Sequence, residues 1–287
     1  MKVMKLKLGI FPNETKSVVF TVLAELIEVA KDNNISIVLP NKLATKFNCK
    51  SYDVKHISKN DMDIAVSLGG DGTLLRMTKY VAKSEIPVFG INLGKLGFLT
   101  EVEVIDIKKA IKNLAIKKYK VEERSMLEVK IKKDGKVISK AIALNDIVLT
   151  KENFSKLLML DLKIGGQSSA HYPSDGLIVS TATGSTAYSL SAGGPIVSPA
   201  LNVSILTPIC PHSLYARPIV IPIEEQIEIE STQANSELIV SADGMILKKL
   251  EAGEIICITK SSYGLKFLKL NPKSYYETWQ DKLQNEK

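Results

Sequence analysis

Apolar residues follow one rhythm over the first 118 positions and another beyond them. Residues 6–11 are strand-like and closed by Pro12-Asn13, and Val19, Val22, Leu23, Leu26, Ile27 and Ala30 then fall on one face of a helix. Asn33-Asn34 stops that helix. Residues 35–39, 64–68 and 88–92 are further short apolar runs, with helical patterns predicted over 41–47, from Leu74 to about Ala82, and over 106–116. Apolar runs without alternation belong to strands buried on both faces. Their regular exchange with helices predicts a doubly wound α/β, Rossmann-like domain over residues 1–118, with any ligand at the carboxyl ends of the strands.

From Val121 the period drops to two. Residues 126–132 and 137–144 flank Asp134-Gly135 as a hairpin, and strand-like runs follow at 147–150, 157–164, 177–181, 203–207, 227–231, 237–241, 255–259 and 265–270. Many short strands with little helical period predict an all-β, sandwich-like domain over residues 119–270, followed by a C-terminal segment, 271–287. One stretch breaks the pattern. Residues 183–195, Thr-Gly-Ser-Thr-Ala-Tyr-Ser-Leu-Ser-Ala-Gly-Gly-Pro, are too small and polar for a core strand. They predict a short helix or turn that displays hydroxyl and backbone N–H groups to a ligand.

Composition narrows the classes of partner. With 45% hydrophobic residues in 287, the chain can bury a substantial core. The net charge of +7 comes from scattered lysines with only 6% aromatics, not the basic, aromatic-interleaved stripe of a nucleic-acid binder. Cys49, Cys210 and Cys257 are far apart and form no Cys-x-x-Cys pair, so neither a zinc site nor a disulfide framework is signalled. The opening Met-Lys-Val-Met-Lys passes at once into strand-like sequence, and no apolar span reaches ~20 residues. The expectation is a cytoplasmic protein with no membrane partner.

The chemistry concentrates where the third apolar run meets Gly69-Gly70-Asp71-Gly72-Thr73. Strand, glycine turn and helix in that order aim backbone N–H groups and the positive end of a helix at an anion. A Walker loop would need a lysine that Gly72-Thr73-Leu74 lacks, and the dinucleotide fingerprint G-x-G-x-x-G fails at Leu75. Asp71 is the unusual feature, because a carboxylate repels the phosphate such a turn attracts. It suits a divalent metal that screens phosphates, or acceptance of a proton from an attacking hydroxyl. Gly-Asp-Gly is also ordinary turn chemistry.

Five motifs in one order closely resemble the NAD kinases over nearly the full length. They are Gly69-Gly70-Asp71-Gly72-Thr73, Asn92-Leu93-Gly94-Lys95-Leu96-Gly97-Phe98, Leu144-Asn145-Asp146, residues 175–181 from Asp175-Gly176 onward, and Gly184-Ser185-Thr186-Ala187-Tyr188. The glycine turn alone is shared with diacylglycerol and sphingosine kinases, whereas the 183–195 run is characteristic of NAD kinases. The resemblance implies phosphoryl transfer from ATP or inorganic polyphosphate to the 2′-hydroxyl of the adenosine ribose of NAD, with a divalent cation such as Mg²⁺. It also implies assembly as a homodimer or homotetramer, and NAD lying between the two domains.

By the same resemblance Asp71 is the catalytic aspartate. Asp71, Gly72, Asn145, Asp146, Asp175, Thr183, Thr186, Ala187, Tyr188, Ser189, Leu190, Ser191 and Met245 would contact NAD, with Arg76 and Phe98 matching more loosely. Gly69, Gly70, Gly72, Thr73 and Asp243 would lie near phosphate and metal, with no dedicated set of protein ligands for the metal. Met245 stands where many members carry glutamine, and Pro173 where a basic residue is common. Two other readings keep part of the pattern: a kinase of a lipid or sugar hydroxyl sharing only the first motif, and a non-catalytic nucleotide sensor. Neither explains both Asp71 and the 183–195 run.

Overall fold

A computed structural model describes residues 5–94, 97–152, 157–213, 215–231, 238–270 and 275–284. Lys95 and Leu96 of the second motif, Glu237 of one predicted strand and part of the C-terminal segment lie outside the described residues. The chain forms two compact units, residues 1–123 with 264–287, and residues 124–263.

The first unit alternates β1 (Lys7–Pro12), α1 (Val18–Asp32), β2 (Ser36–Pro40), α2 (Asn41–Phe47), β3 (Lys50–Tyr52), β4 (Ile64–Gly69), α3 (Asp71–Val81), β5 (Val88–Asn92), β6 (Val102–Glu103), α4 (Ile107–Ala115) and β7 (Lys120–Arg124). Every residue of β4 and β5 is buried, as continuous apolar runs require. Helix α1 buries Val19, Val22, Leu23, Leu26 and Ala30 of the predicted face, with Val29 in addition and Ile27 half-buried, into a core shared with Leu8, Ile10, Val66, Leu68 and Ile91.

The second unit holds β8 (Leu127–Lys133), β9 (Lys136–Ala143), β10 (Asp146–Lys151), β11 (Leu158–Ile164), β12 (Gln167–Ser174), β13 (Gly176–Thr181), α5 (Tyr188–Ser191), β14 (Val203–Ile209), β15 (Ile219–Pro222), β16 (Ile227–Ser231), β17 (Leu238–Ala242), β18 (Met245–Lys249) and β19 (Ile255–Lys260). They form two six-stranded sheets, β15-β14-β13-β10-β17-β18 and β12-β11-β16-β19-β8-β9, whose pairings are antiparallel. Alternate residues of both sheets, among them Val129, Leu149, Leu160, Val179, Ile229, Val240 and Ile258, meet in one core. This is the expected sandwich.

The chain then returns to the first unit through β20 (Leu265–Lys269) and α6 (Tyr275–Gln284). The first sheet runs β3-β2-β1-β4-β5-β20-β7, with β6 also paired to β5, and β20 lies parallel to β5 through Phe267 and Val88. The run at 265–270 therefore joins the α/β sheet, where sequence order alone groups it with the β domain. From β1 the chain adds β2 and β3 on one side, then β4 and β5 on the other. The order reverses between β1 and β4, and the carboxyl ends at such a switch point are where open α/β sheets bind ligands.

Candidate functional site

The glycine turn leaves β4 on the edge of that switch point. Gly70 is extended, with φ −127° and ψ −171°, and serves as the N-cap of α3, so Asp71 opens the first turn of the helix. The N–H groups of Thr73 and Leu74 both turn back to the Gly70 carbonyl, at 2.9 and 3.2 Å. A Cβ built on Gly70 or Gly72 would meet no atom within 4 Å, so the turn opens onto space that an anion can enter. Lys16, just past β1 across the switch point, carried no signal in the sequence; its ammonium lies 3.7 Å from where a Cβ on Gly94 would stand.

The Asp71 carboxylate is gripped from one side. Its Oδ2 accepts from the backbone N–H of Phe98 at 2.7 Å and of Leu99 at 3.3 Å. Its Oδ1 accepts from the Thr100 N–H at 3.1 Å and the Thr100 hydroxyl at 3.0 Å. The turn can approach this closely because residue 97 is glycine: a Cβ there would stand 1.7 Å from Asp71 Oδ1. Phe98 thus reaches Asp71 through its backbone, while its ring packs under the Lys282 ammonium of α6, 4.9 Å from the ring centroid. Gly69, Gly70, Asp71, Gly72, Thr73 and Phe98 come together. Arg76 is exposed, one turn beyond Gly72 on the same side of α3.

In the second unit the polar residues converge on Asn145, between β9 and β10. Asp243-Gly244 turns β17 into β18 with φ of 47° and 75°. The turn's carboxylate reaches back across 97 to 99 residues of sequence to accept from the N–H groups of Leu144 at 2.8 Å, Asn145 at 2.8 Å and Asp146 at 3.3 Å. Expected near phosphate and metal, Asp243 instead devotes its carboxylate to holding this corner. Thr181 closes the other side: its hydroxyl donates to the Leu144 carbonyl at 2.6 Å and accepts from the Gly184 N–H at 3.0 Å. A Cβ on Gly184 would lie 2.1 Å from the Asn145 carbonyl oxygen.

The side chains held there are charged or unsatisfied. Asp146 is buried, and that burial, reinforced by the Asp243 carboxylate, pushes it up to about 7. Burial also raises Asp243, against the pull of its three N–H donors. The Asn145 Oδ1 is buried with no hydrogen-bond partner among the described residues. A buried acceptor left without a donor costs free energy, and a ligand that donates to it would recover that cost.

The 183–195 run folds as predicted into a turn of 3₁₀ helix, Thr183–Thr186, followed by α5. Thr183 is buried, Thr186, Ala187 and Leu190 are half-buried, and Tyr188 and Ser191 are exposed. Ser189, expected to face NAD, is turned inward to the Thr207 hydroxyl at 2.8 Å. Ser185 is likewise taken up internally, by the carbonyls of Ala182 and Val197. Asp175 stands at the far end of β13 from this corner, paired with Lys151 at 2.5 Å. Met245 opens β18 beside Asp243 and is exposed.

Two family models match the chain. The ATP-NAD kinase N-terminal domain covers residues 8–119, and the ATP-NAD kinase C-terminal domain covers residues 144–270. The NAD kinase of Moorella thermoacetica is 39% identical over 277 residues, 96% of this chain and 89% of that protein. The NAD kinase of Acetivibrio thermocellus is 38% identical over 280 residues, 97% of each. Among solved structures, yeast NADH kinase complexed with NADH matches with a TM-score of 0.86 at 27% identity, over 100% of this chain and 90% of that one. An Archaeoglobus fulgidus NAD kinase in complex with ATP matches with a TM-score of 0.76, also at 27% identity, over 97% and 99%.

Proposed function

The chain belongs to the NAD kinase family, and from that premise we propose that it transfers the γ-phosphoryl group of ATP to the 2′-hydroxyl of the adenosine ribose of NAD. The ribose oxygen forms the new P–O bond, the bond to the β-phosphate bridging oxygen breaks, ADP leaves, and the hydroxyl proton passes to Asp71. The observation that carries this assignment is the position of Asp71: a held carboxylate in the first turn of α3, at the switch point of the sheet. A carboxylate is a far weaker base than the alkoxide it would generate, so proton transfer accompanies bond formation rather than preceding it. The open space over Gly70 and Gly72, at the positive end of α3, suits the donor's phosphates.

In the second unit the Asn145 side-chain Oδ1, without a donor among the described residues, and the Asp146 carboxyl, raised to about 7 by burial and by Asp243, suit a ribose or amide that presents both donors and acceptors. Thr183, Thr186, Ala187, Tyr188, Leu190 and Ser191 are read as the lining beside them. Ser189 supports that lining from behind.

A divalent cation fits as a companion of the donor. Mg²⁺ keeps several waters and takes one or two carboxylates beside phosphate oxygens, so it needs no cluster of protein ligands, and among the described residues no three His, Cys, Asp or Glu side chains form one. Asp71, the carboxylate of the turn, would be the residue to hold the cation, which would neutralise charge on the phosphates. We also read the protein as a cytoplasmic homodimer or homotetramer. Three free cysteines suit a reducing compartment, no helix among the described residues is long and apolar enough to cross a membrane, and Tyr215 and Ile246 expose apolar surface for assembly.

The test is NADP formation from NAD by purified protein with ATP and Mg²⁺, repeated with polyphosphate as donor, together with the Asp71→Asn variant. Turnover by the wild type and a loss of at least ~10² in the variant, with NAD binding retained, are expected. Near-normal turnover by Asp71→Asn would make Asp71 structural.

A further inference from the structure

Three side chains in the first unit form a hydrogen-bond chain whose direction is fixed by counting donors and acceptors. Asn92 ends β5, and Thr100 stands beside it after the turn; they are 4% and 2% exposed. The Asn92 Oδ1 accepts from the Gly94 N–H at 2.8 Å, which leaves its amide nitrogen to donate to the Thr100 hydroxyl at 2.9 Å. That hydroxyl also accepts from the Gly97 N–H at 3.0 Å. A hydroxyl has two lone pairs and one proton. Both lone pairs of Thr100 are taken, so its single proton goes to Asp71 Oδ1, 3.0 Å away.

We infer that Thr100, oriented by Asn92, is a positioning residue for Asp71: its directed O–H fixes the plane of the carboxylate that receives the ribose proton. This inference rests on Asp71 being that proton acceptor. On this account Asn92 and Thr100 serve the reaction through Asp71, and the glycine at 97 is there to let the turn approach it. The carboxylate also takes three backbone N–H groups, but the hydroxyl is the one donor that a side-chain replacement removes, and a rotation of the carboxylate by a few tens of degrees is enough to spoil alignment with a reacting hydroxyl.

The inference is tested by steady-state kinetics on the full chain for Thr100→Val, Thr100→Ser, Asp71→Asn and the double variant Asp71→Asn with Thr100→Val, with NAD-binding stoichiometry measured by calorimetry. Expected are a fall in kcat of at least ~10-fold for Thr100→Val with the KM for NAD and for ATP little changed, recovery in Thr100→Ser, and no further loss when Thr100→Val is added to Asp71→Asn. A normal kcat in Thr100→Val would overturn it. So would a loss in the double variant as large as in the wild-type background, or a fall in NAD stoichiometry that matches the fall in kcat. If valine does not fold, Thr100→Ala carries the same test, and failure of both to fold while serine folds would assign the hydroxyl to stability alone. Near-normal kcat in Asp71→Asn would instead overturn the reading of Asp71 itself.

Discussion

The Asp243 carboxylate binds the backbone N–H of Asn145 at 2.8 Å from 98 residues away, and with the neighbouring bonds to Leu144 and Asp146 it ties a hairpin turn to the corner that presents Asn145. Asp243→Asn keeps the shape and the left-handed φ of 47°, which asparagine tolerates. It also turns an N–H₂ group towards at least one of three backbone donors. A loss of about 1–3 kcal/mol in unfolding free energy is expected, with a rise in the KM for NAD. Urea titration and steady-state kinetics check both, and an unchanged denaturation midpoint would show that the corner does not depend on this carboxylate.

Asp146 makes stability depend on pH. Its folded-state value is raised from 3.8 to about 7 by burial and by Asp243, so the folded chain binds more protons than the unfolded one between those values. Stability from this group is full below about 4 and is lost as pH rises through about 7, by at most ~1.4 kcal/mol for each whole step in pH. Asp146→Asn cannot ionise and loses that slope. The melting temperature of the variant should therefore gain on the wild type between pH 5 and pH 8. A difference that stays flat over that range would mean that Asp146 is ionised in the folded chain at pH 5.

Asn145 tests whether the unsatisfied carbonyl serves a ligand. Because its Oδ1 lacks a donor among the described residues, Asn145→Ala should cost little stability in the protein without substrate, within about 1 kcal/mol. The same change should raise the KM for NAD several-fold and leave the KM for ATP nearly unchanged. A large drop in melting temperature without NAD would mark the side chain as fold-forming instead.

How much of this is legible from sequence depends on whether a residue's role is local. The apolar runs of β1, β2, β4 and β5 and the face of α1 are visible because burial imposes a period on neighbouring positions. The glycine turn and the 183–195 run stand out because their composition breaks that period. β12 is hidden: it is polar, stands at the edge of its sheet beside β11 among the described residues, and follows a hairpin at Gly165-Gly166 rather than a hydrophobic pattern. The membership of β20 is hidden too, since nothing in a strand's own residues names the sheet it joins. Thr100 and Asp243 act across 29 and up to 99 residues through a few hydrogen bonds each, and an isolated threonine or a turn aspartate carries no periodic trace of such a partner. Phe98 is legible as a neighbour of the site, but its contact with Asp71 runs through backbone N–H, which nearly every residue type possesses.

Gly97 offers the sharpest separation between holding Asp71 and building the fold. Its φ is not in the left-handed region, so alanine is conformationally acceptable there, and the first thing a methyl group would meet is the carboxylate: 1.7 Å to Asp71 Oδ1, 2.2 Å to its carbon and 2.4 Å to Oδ2. Real Cβ atoms do not approach so closely, so either the turn or the carboxylate has to move. The donors of Phe98, Leu99 and Thr100 are on the same turn, and any shift lengthens several of their bonds together. Gly97→Ala should cost about 1–3 kcal/mol of stability, the usual range for overpacking, and lower kcat by at least ~10² because misplacement near 1 Å is costly to a reacting geometry. Thermal melting and kinetics on the same preparation decide the matter. In a background of Asp71→Ala, where the carboxylate is gone, Gly97→Ala should recover most of the lost stability; if it remains as destabilising there, the methyl group is clashing with something other than Asp71.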